Sequence, residues 1–170
     1  ANAKGLRFEA RSVGTSAGFR EFCSGKLAIA AASRPINAKE LKTCAAAGVR
    51  FLELPIAFDA ITIVVNPRNS WAKQISTQEL SKVWQKASQQ RVTTWKQVNS
   101  LWPDRPIKLC GPGRDSGTYD YFNKAINGSE DNSRSDYEAS EDDAVIVSCV
   151  TKHSNALGYF GYDYYSSNRS

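Results

Sequence analysis

A single histidine, His153, and four cysteines with no C-x-x-C pair among them are all the soft metal ligands in these 170 residues. Structural zinc sites need closely spaced Cys and His, and His153 has no cysteine at such a spacing, so the pattern argues against a zinc centre. No apolar run approaches the ~20 residues that a membrane-spanning helix requires. No basic-then-apolar leader precedes Ala1, so any export signal is expected to have been removed or to lie outside these residues. Lys and Arg total 22 against 17 Asp and Glu, a net charge of +5. The excess suits anionic partners, but it is scattered along the chain with no basic run of the kind that grips nucleic acid. A G-x-S-x-G elbow is missing too, which weakens any hydrolase reading.

What is present describes a globular domain of ordinary composition, 41% hydrophobic and 23% charged. A compact fold of this length buries about 70% of its unfolded surface, enough for a core in one domain or two small lobes. Cys23, Cys44, Cys110 and Cys149 allow three pairings. Cys23 with Cys44 and Cys110 with Cys149 is the simplest, because each bridge then stays within one half of the chain; buried free thiols are the other reading. Bridges would each contribute on the order of 3 kcal/mol and would place the protein in an oxidising compartment.

Hydrophobic spacing predicts alternating strands and helices. Leu6 to Phe8 and Leu27 to Ala32 read as short strands. "SAGFREFCSG" between them reads as a helix capped by Ser16, with Phe19, Phe22 and Cys23 on one face and Gly25 at its end. "NAKELKTCAAAG" repeats the design, with Asn37 and Glu40 as a capping box, Leu41 and Cys44 inward and Gly48 as the stop. "VRFLELPIAFDAITIVVNP" gives two β-rich runs, the second, Ala60 to Val65, suited to a strand buried on both faces or to a crossover between sheets. A helix from Ser76 presents Leu80, Val83 and Trp84, and a short helix with a Pro-rich turn carries two packing tryptophans. Ile107 to Gly111 is predicted as a strand, Asp120 to Ile126 as a helix, and a further helix starts near Ser140. "ALGYFGYDYYSSN" is a strand running into a helix. Asn127 to Asp143 reads as a polar surface connection. The alternation gives an α/β fold with open parallel or mixed sheets.

The densest cluster of hydrogen-bond donors is "GPGRDSGTYDYF", Gly111 to Phe122. Its glycines bracket a turn after a strand, and Ser116, Gly117 and Thr118 fall where a helix begins. Unpaired N–H groups and the helix dipole make such a start an oxyanion site. Ser116 and Thr118 add hydroxyls, Gly117 lets the backbone come close, and Arg114 offers a planar fork for two oxygens of one anion. Asp115 could orient that fork or accept a proton from the anion. The second constellation, "VGTSAGF" with "AASRPI", places Thr15 and Ser16 at a helix start and Ser33 and Arg34 at a strand end, where ligands of open α/β sheets collect.

Taken in order, "ASRPI", "ELPIAFDAITIVVNP", "GPGRDSGTYDYF", "YEASEDDAVIVSCV" and "NALGYFGYDYY" resemble the phosphate-binding subunit of bacterial high-affinity phosphate ABC transporters, the PstS family. The likeness runs from about Val13 to Tyr165, and the cysteine-bearing form resembles cyanobacterial members. It implies a two-lobed binding protein of the type II periplasmic fold, with hinge crossover strands. That protein would be a monomer when complete, would close on inorganic phosphate and would deliver it to the ABC transporter permease subunits outside the cytoplasm. It needs no cofactor and performs no catalysis. Carried over by position, the phosphate-binding residues are Thr15, Ser16, Ser33, Arg34, Arg114, Asp115, Ser116, Gly117 and Thr118. Some members carry Asp where this chain has Ser33; with no carboxylate there, Asp115 becomes the expected acceptor of the ligand proton. Residues 1–64 are expected to be a partial first lobe lacking its first strand and loop, 65–157 the second lobe, and 158–170 the segment returning to the first. Two other classes compete. One is an oxyanion sensor on the same fold. The other is a phosphate-ester hydrolase that pairs Ser116 with His153 and with Asp142 or Asp143.

Overall fold

The computed structural model describes residues 9–11, 13–58 and 60–168. The strand expected at Leu6 to Phe8 lies outside them. The described chain runs α1 (Thr15–Cys23), α2 (Ala38–Ala46), β1 (Ile61–Val65), α3 (Thr77–Trp84), α4 (Trp95–Val98), β2 (Lys108–Gly111), α5 (Gly117–Asn127), β3 (Glu138–Ala139), α6 (Asp143–Lys152), β4 (Ala156–Gly161) and α7 (Tyr162–Ser167). One mixed sheet forms in the order β1-β4-β2-β3. β4 pairs antiparallel with β1, Ile63 opposite Tyr159, and parallel with β2, Leu109 opposite Leu157.

The central strand shows how the sequence builds two cores. Every residue of β4, ALGYFG, is buried, and successive side chains of a strand point to opposite faces. Leu157 and Tyr159 join Trp84, Trp95, Trp102, Leu109 and Phe122 in one cluster. Ala156 and Phe160 join Cys110, Ile146, Cys149 and Val150 in the other. Between them Gly158 is required by proximity, since a Cβ there would lie 2.8 Å from both the Cys110 carbonyl oxygen and a Val150 methyl. Phe122 stacks on Tyr159 with ring centroids 3.9 Å apart, which fixes α5 against the sheet.

Several predicted local signals appear as read. Asn37 with Glu40 forms the expected capping box and a helix starts after Ser76 as read; Ser76 with Glu79 adds a second capping box that the sequence reading did not name. Leu80, Val83, Trp84, Trp95 and Trp102 are buried. Cys23–Cys44 ties α1 to α2, and Cys110–Cys149 ties β2 to α6. Closing a loop of 39 residues restricts the unfolded chain, so replacing Cys110 and Cys149 by alanine should lower unfolding free energy by about 4 kcal/mol in a denaturant titration.

Other expectations fail for identifiable reasons. Leu27 to Ala32 and Val49 to Leu54 form no strand, because neither run meets a ladder partner among the described residues. Leu52, Leu54, Ile56 and Phe58 keep the period-2 apolar pattern of a strand but are exposed. β1 forms as predicted, yet it lies at the sheet edge and is only partly buried along its whole length. Leu41 is exposed rather than inward; Cys44 alone seals the buried face of α2. α6 starts at Asp143, three residues beyond Ser140, because Asp142 accepts the Ala144 N–H as its cap. Within the polar 127–143 connection Arg134 departs from the solvated pattern. It is buried, paired with Asp136, and donates to the Val83 and Val92 carbonyls.

Candidate functional site

The loop from β2 into α5 acquires its shape from Ser116. Its backbone is extended, and its hydroxyl oxygen accepts the Thr118 and Tyr119 N–H groups at 3.1 and 3.4 Å, which starts the helix. α1 begins differently. Ser16 was expected as its cap, but Gly14 holds that position at φ +75°, and Ser16 is already inside the helix. The cap is supplied from the other half of the chain: the Ser16 N–H donates to the Asp115 carbonyl at 3.0 Å. Only glycine suits position 14, since φ there is positive and a Cβ would sit 2.5 Å from that carbonyl oxygen.

These bonds bring the starts of α1 and α5 together. A Cβ on Gly117 would lie 2.6 Å from Thr15 Oγ1 and 3.0 Å from Ser33 Cβ. Ser33 is held in place by its N–H donating to Thr15 Oγ1 at 3.1 Å. Two helix N-termini therefore face one point, each with a partial positive charge and unpaired N–H groups. Among the described residues the Thr15 and Gly117 N–H groups have no hydrogen-bond partner. Like-signed dipole ends at contact repel each other, and an anion bound between them converts that repulsion into attraction.

Arg34 sits beside this point, but its fork is already engaged. Nε donates to Asp120 Oδ2 at 2.6 Å, and Nη2 donates to Ser16 Oγ at 2.8 Å. Nη1 and Nη2 each reach one Glu40 oxygen at 2.9 Å, and Nη1 also donates to the Pro35 carbonyl. All five guanidinium donors are thus accounted for. The group also lies 5.3 Å over the Phe19 ring. Its side chain and that of Asp120 are 7% and 9% exposed. Arg34 links α1, α2 and α5 rather than offering a free fork. The Glu40 bond is the main cause that raises the Arg34 pKa. Burial pushes the Glu40 carboxyl upward, but the Arg34 fork and the Asn37 N–H outweigh it and leave Glu40 below its ordinary value. A depressed carboxyl stabilises the fold above its unfolded pKa of about 4.3 and loses that contribution as pH falls through the lower folded value.

The remaining predicted residues take distinct places. Arg114 is exposed and makes no ion pair among the described residues. The Asp115 carboxylate is held at the surface by Arg20 at 2.8 Å, with 44% of its side chain exposed. One carboxylate oxygen, Oδ1, is thus engaged by Arg20. Thr118 is half-buried in the first turn of α5. Three groups escaped the sequence reading: Asp120, Glu40 in its role on Arg34, and Glu141. The Glu141 carboxyl, raised by burial and by the charges of Asp115 and Asp120, lies close to Gly113 and Gly14. Asp120 had one usable signal, a carboxylate one helical turn after Ser116 on a face otherwise filled by Tyr119, Phe122 and Asn123.

The hydrolase arrangement does not assemble. The Ser116 hydroxyl oxygen serves as a cap, and His153 is exposed at the far end of α6, about 15 Å from Asp143 at that helix's rise of 1.5 Å per residue. Among the described residues no cluster of His, Cys, Asp and Glu could hold a metal ion. No helix among them is long and apolar enough to cross a membrane.

A profile described as a PBP superfamily domain matches residues 1–170. Protein SphX of Synechocystis is 49% identical over 162 residues, covering 95% of this chain and 48% of the relative. The phosphate-binding protein PstS of Staphylococcus epidermidis is 36% identical over 166 residues, covering 98% and 49%. The chain thus spans about half the length of the curated relatives it matches. A possible phosphate-binding protein from Planctomyces limnophilus superposes with TM-score 0.64 at 42% identity, covering 89% of this chain and 52% of that one. A putative phosphate ABC transporter substrate-binding protein from Clostridium perfringens, solved with bound phosphate, gives TM-score 0.70 at 25% identity, covering 89% and 57%.

Proposed function

The chain belongs to the PBP superfamily, and from that premise we propose that it binds inorganic phosphate where α1 meets α5 and delivers it to a membrane ABC permease for uptake. The convergence of two helix N-termini, with Gly117 against Thr15 and Ser33, carries this reading. The N–H groups of Thr15 and Gly117, the hydroxyls of Ser33, Ser116 and Thr118, and the Arg114 guanidinium are the direct donors. Ser16, Arg34 and the Asp115 backbone hold the two halves in register around them. Charge-assisted bonds contribute about 1.5–3 kcal/mol each, and a micromolar complex needs about 8 kcal/mol net, so four or five such donors suffice. Nothing in this set splits a bond: no activated nucleophile faces the anion, and the role is binding without turnover.

In this reading residues 1–64 belong to a partial first lobe, 65–157 to the second and 158–170 to the return segment. The exposed Leu52, Leu54, Ile56 and Phe58 are the apolar side of a first-lobe sheet. Two disulfides and the family's transport role favour a periplasmic or other extracytoplasmic setting. Calorimetric titration of the protein at its full natural length should show one saturable phosphate site. Arg114→Ala should weaken it about tenfold or more. Sustained turnover of a chromogenic phosphate ester would contradict the reading.

A further inference from the structure

We infer that Tyr137 is a positioning residue for the anion site: its hydroxyl holds the Pro112 carbonyl and so sets where the Arg114 guanidinium meets the ligand. This inference rests on the proposed phosphate site, in which Arg114 is a donor. Tyr137 opens "YEASEDDAVIVSCV", a stretch that gave the sequence reading no binding residue. Directly after it β3 pairs with β2, Glu138 opposite Cys110 and Ala139 opposite Gly111, and the Ser140 N–H donates to the Gly111 carbonyl at 3.1 Å. The ladder ends there, so the loop that carries Arg114 is held by other means. Pro112 has no N–H, and its carbonyl is its only backbone hydrogen-bonding group. The Tyr137 hydroxyl donates to that carbonyl at 2.6 Å.

Tyr137 can fix the loop because its own ring is fixed. It stands edge-on to Trp84 with ring centroids 5.2 Å apart, and Trp84 is fully buried against Phe122 and Tyr159. The end of β2 is registered on the same aromatic cluster, since a Cβ on Gly111 would lie 3.0 Å from the Tyr159 ring and 3.3 Å from that of Trp84. Burial pushes the Tyr137 phenol well above its ordinary value and keeps it a donor, while the Arg114 charge acts on it in the opposite direction. Beyond Pro112 the loop is held by its own turn, where the Ser116 N–H donates to the Gly113 carbonyl at 3.2 Å, and by the Ser16 N–H on the Asp115 carbonyl. Arg114 is exposed and makes no ion pair among the described residues. Its reach toward the anion is therefore set by its backbone, and the Tyr137 bond anchors the end of the loop that enters from β2.

The test is a double-mutant cycle read by phosphate calorimetry of the protein at its full natural length: wild type, Tyr137→Phe, Arg114→Ala and the two together. Tyr137→Phe keeps the ring on Trp84 and removes only the hydroxyl. It should weaken phosphate binding about tenfold. Because Tyr137 acts through Arg114, adding Tyr137→Phe to Arg114→Ala should cost no more than about a further twofold. A hydroxyl that served the fold alone would shift the denaturation midpoint and leave the affinity of the folded protein unchanged. Unchanged affinity in Tyr137→Phe, or losses that add in full in the double variant, would overturn the inference while leaving phosphate binding intact. A wild-type protein that binds no phosphate would overturn the reading beneath it.

Discussion

Gly117→Ala should reduce phosphate affinity by about a hundredfold or more while the protein stays folded. The added methyl carbon would fall 2.6 Å from Thr15 Oγ1 and 3.0 Å from Ser33 Cβ, inside the contact limits of both. Neither neighbour can yield freely, because Ser33 is tied to Thr15 through its own N–H. The start of α5 must therefore back away from α1, and donors on the two helices can no longer reach one anion together. Loss of two charge-assisted bonds, each worth about a factor of ten or more, gives the stated magnitude. The rest of α5 is anchored by Tyr119, Phe122 and Asn123, so the circular dichroism spectrum should match wild type. Wild-type affinity in this variant would place the anion elsewhere.

Arg34→Ala should cost the fold about 3–5 kcal/mol, because it leaves the largely buried Asp120 and Glu40 carboxylates without the cation that both pair with. Arg20→Ala removes a pair of similar geometry, Arg20 to Asp115 at 2.8 Å, from a solvated surface, and should cost no more than about 1 kcal/mol. Denaturant unfolding of the two variants side by side separates a buried latch from a surface pair. The same latch carries a pH signature. Glu40 is depressed in the folded protein, so its share of stability is complete above about pH 4.3 and declines on acidification. Arg34→Ala removes the main opposing influence on Glu40, and the acid limb of its stability profile should flatten.

The features legible in the sequence share a cause: their physics is local. The capping box at Asn37, the helix starts at Ser76 and Ser116 and the packing face of α3 each depend on residues within one or two turns. Both disulfide pairings were also the simplest reading. What escaped was set by partners distant in the chain. Ser16 looked like a cap because hydroxyls cap helices, yet the Asp115 carbonyl, about a hundred residues away, displaced it from that role. Arg34 looked like a free phosphate fork until Glu40 and Asp120 took its donors. Asp115 stands in the motif as the expected selectivity carboxylate, and the motif carries no sign of the Arg20 pair that one of its oxygens makes across the chain. Leu27 to Ala32 and Val49 to Leu54 carry strand-like patterns, and a strand's stability resides in its neighbours rather than in its own residues.

A crystal structure with phosphate bound to the protein at its full natural length tests the central claim most directly. The account predicts one anion at the meeting point of α1 and α5, its oxygens within hydrogen-bond distance of the Thr15 and Gly117 N–H groups and of the Ser33 and Thr118 hydroxyls. Phosphate bound elsewhere, with those N–H groups making no contact to it, would contradict it.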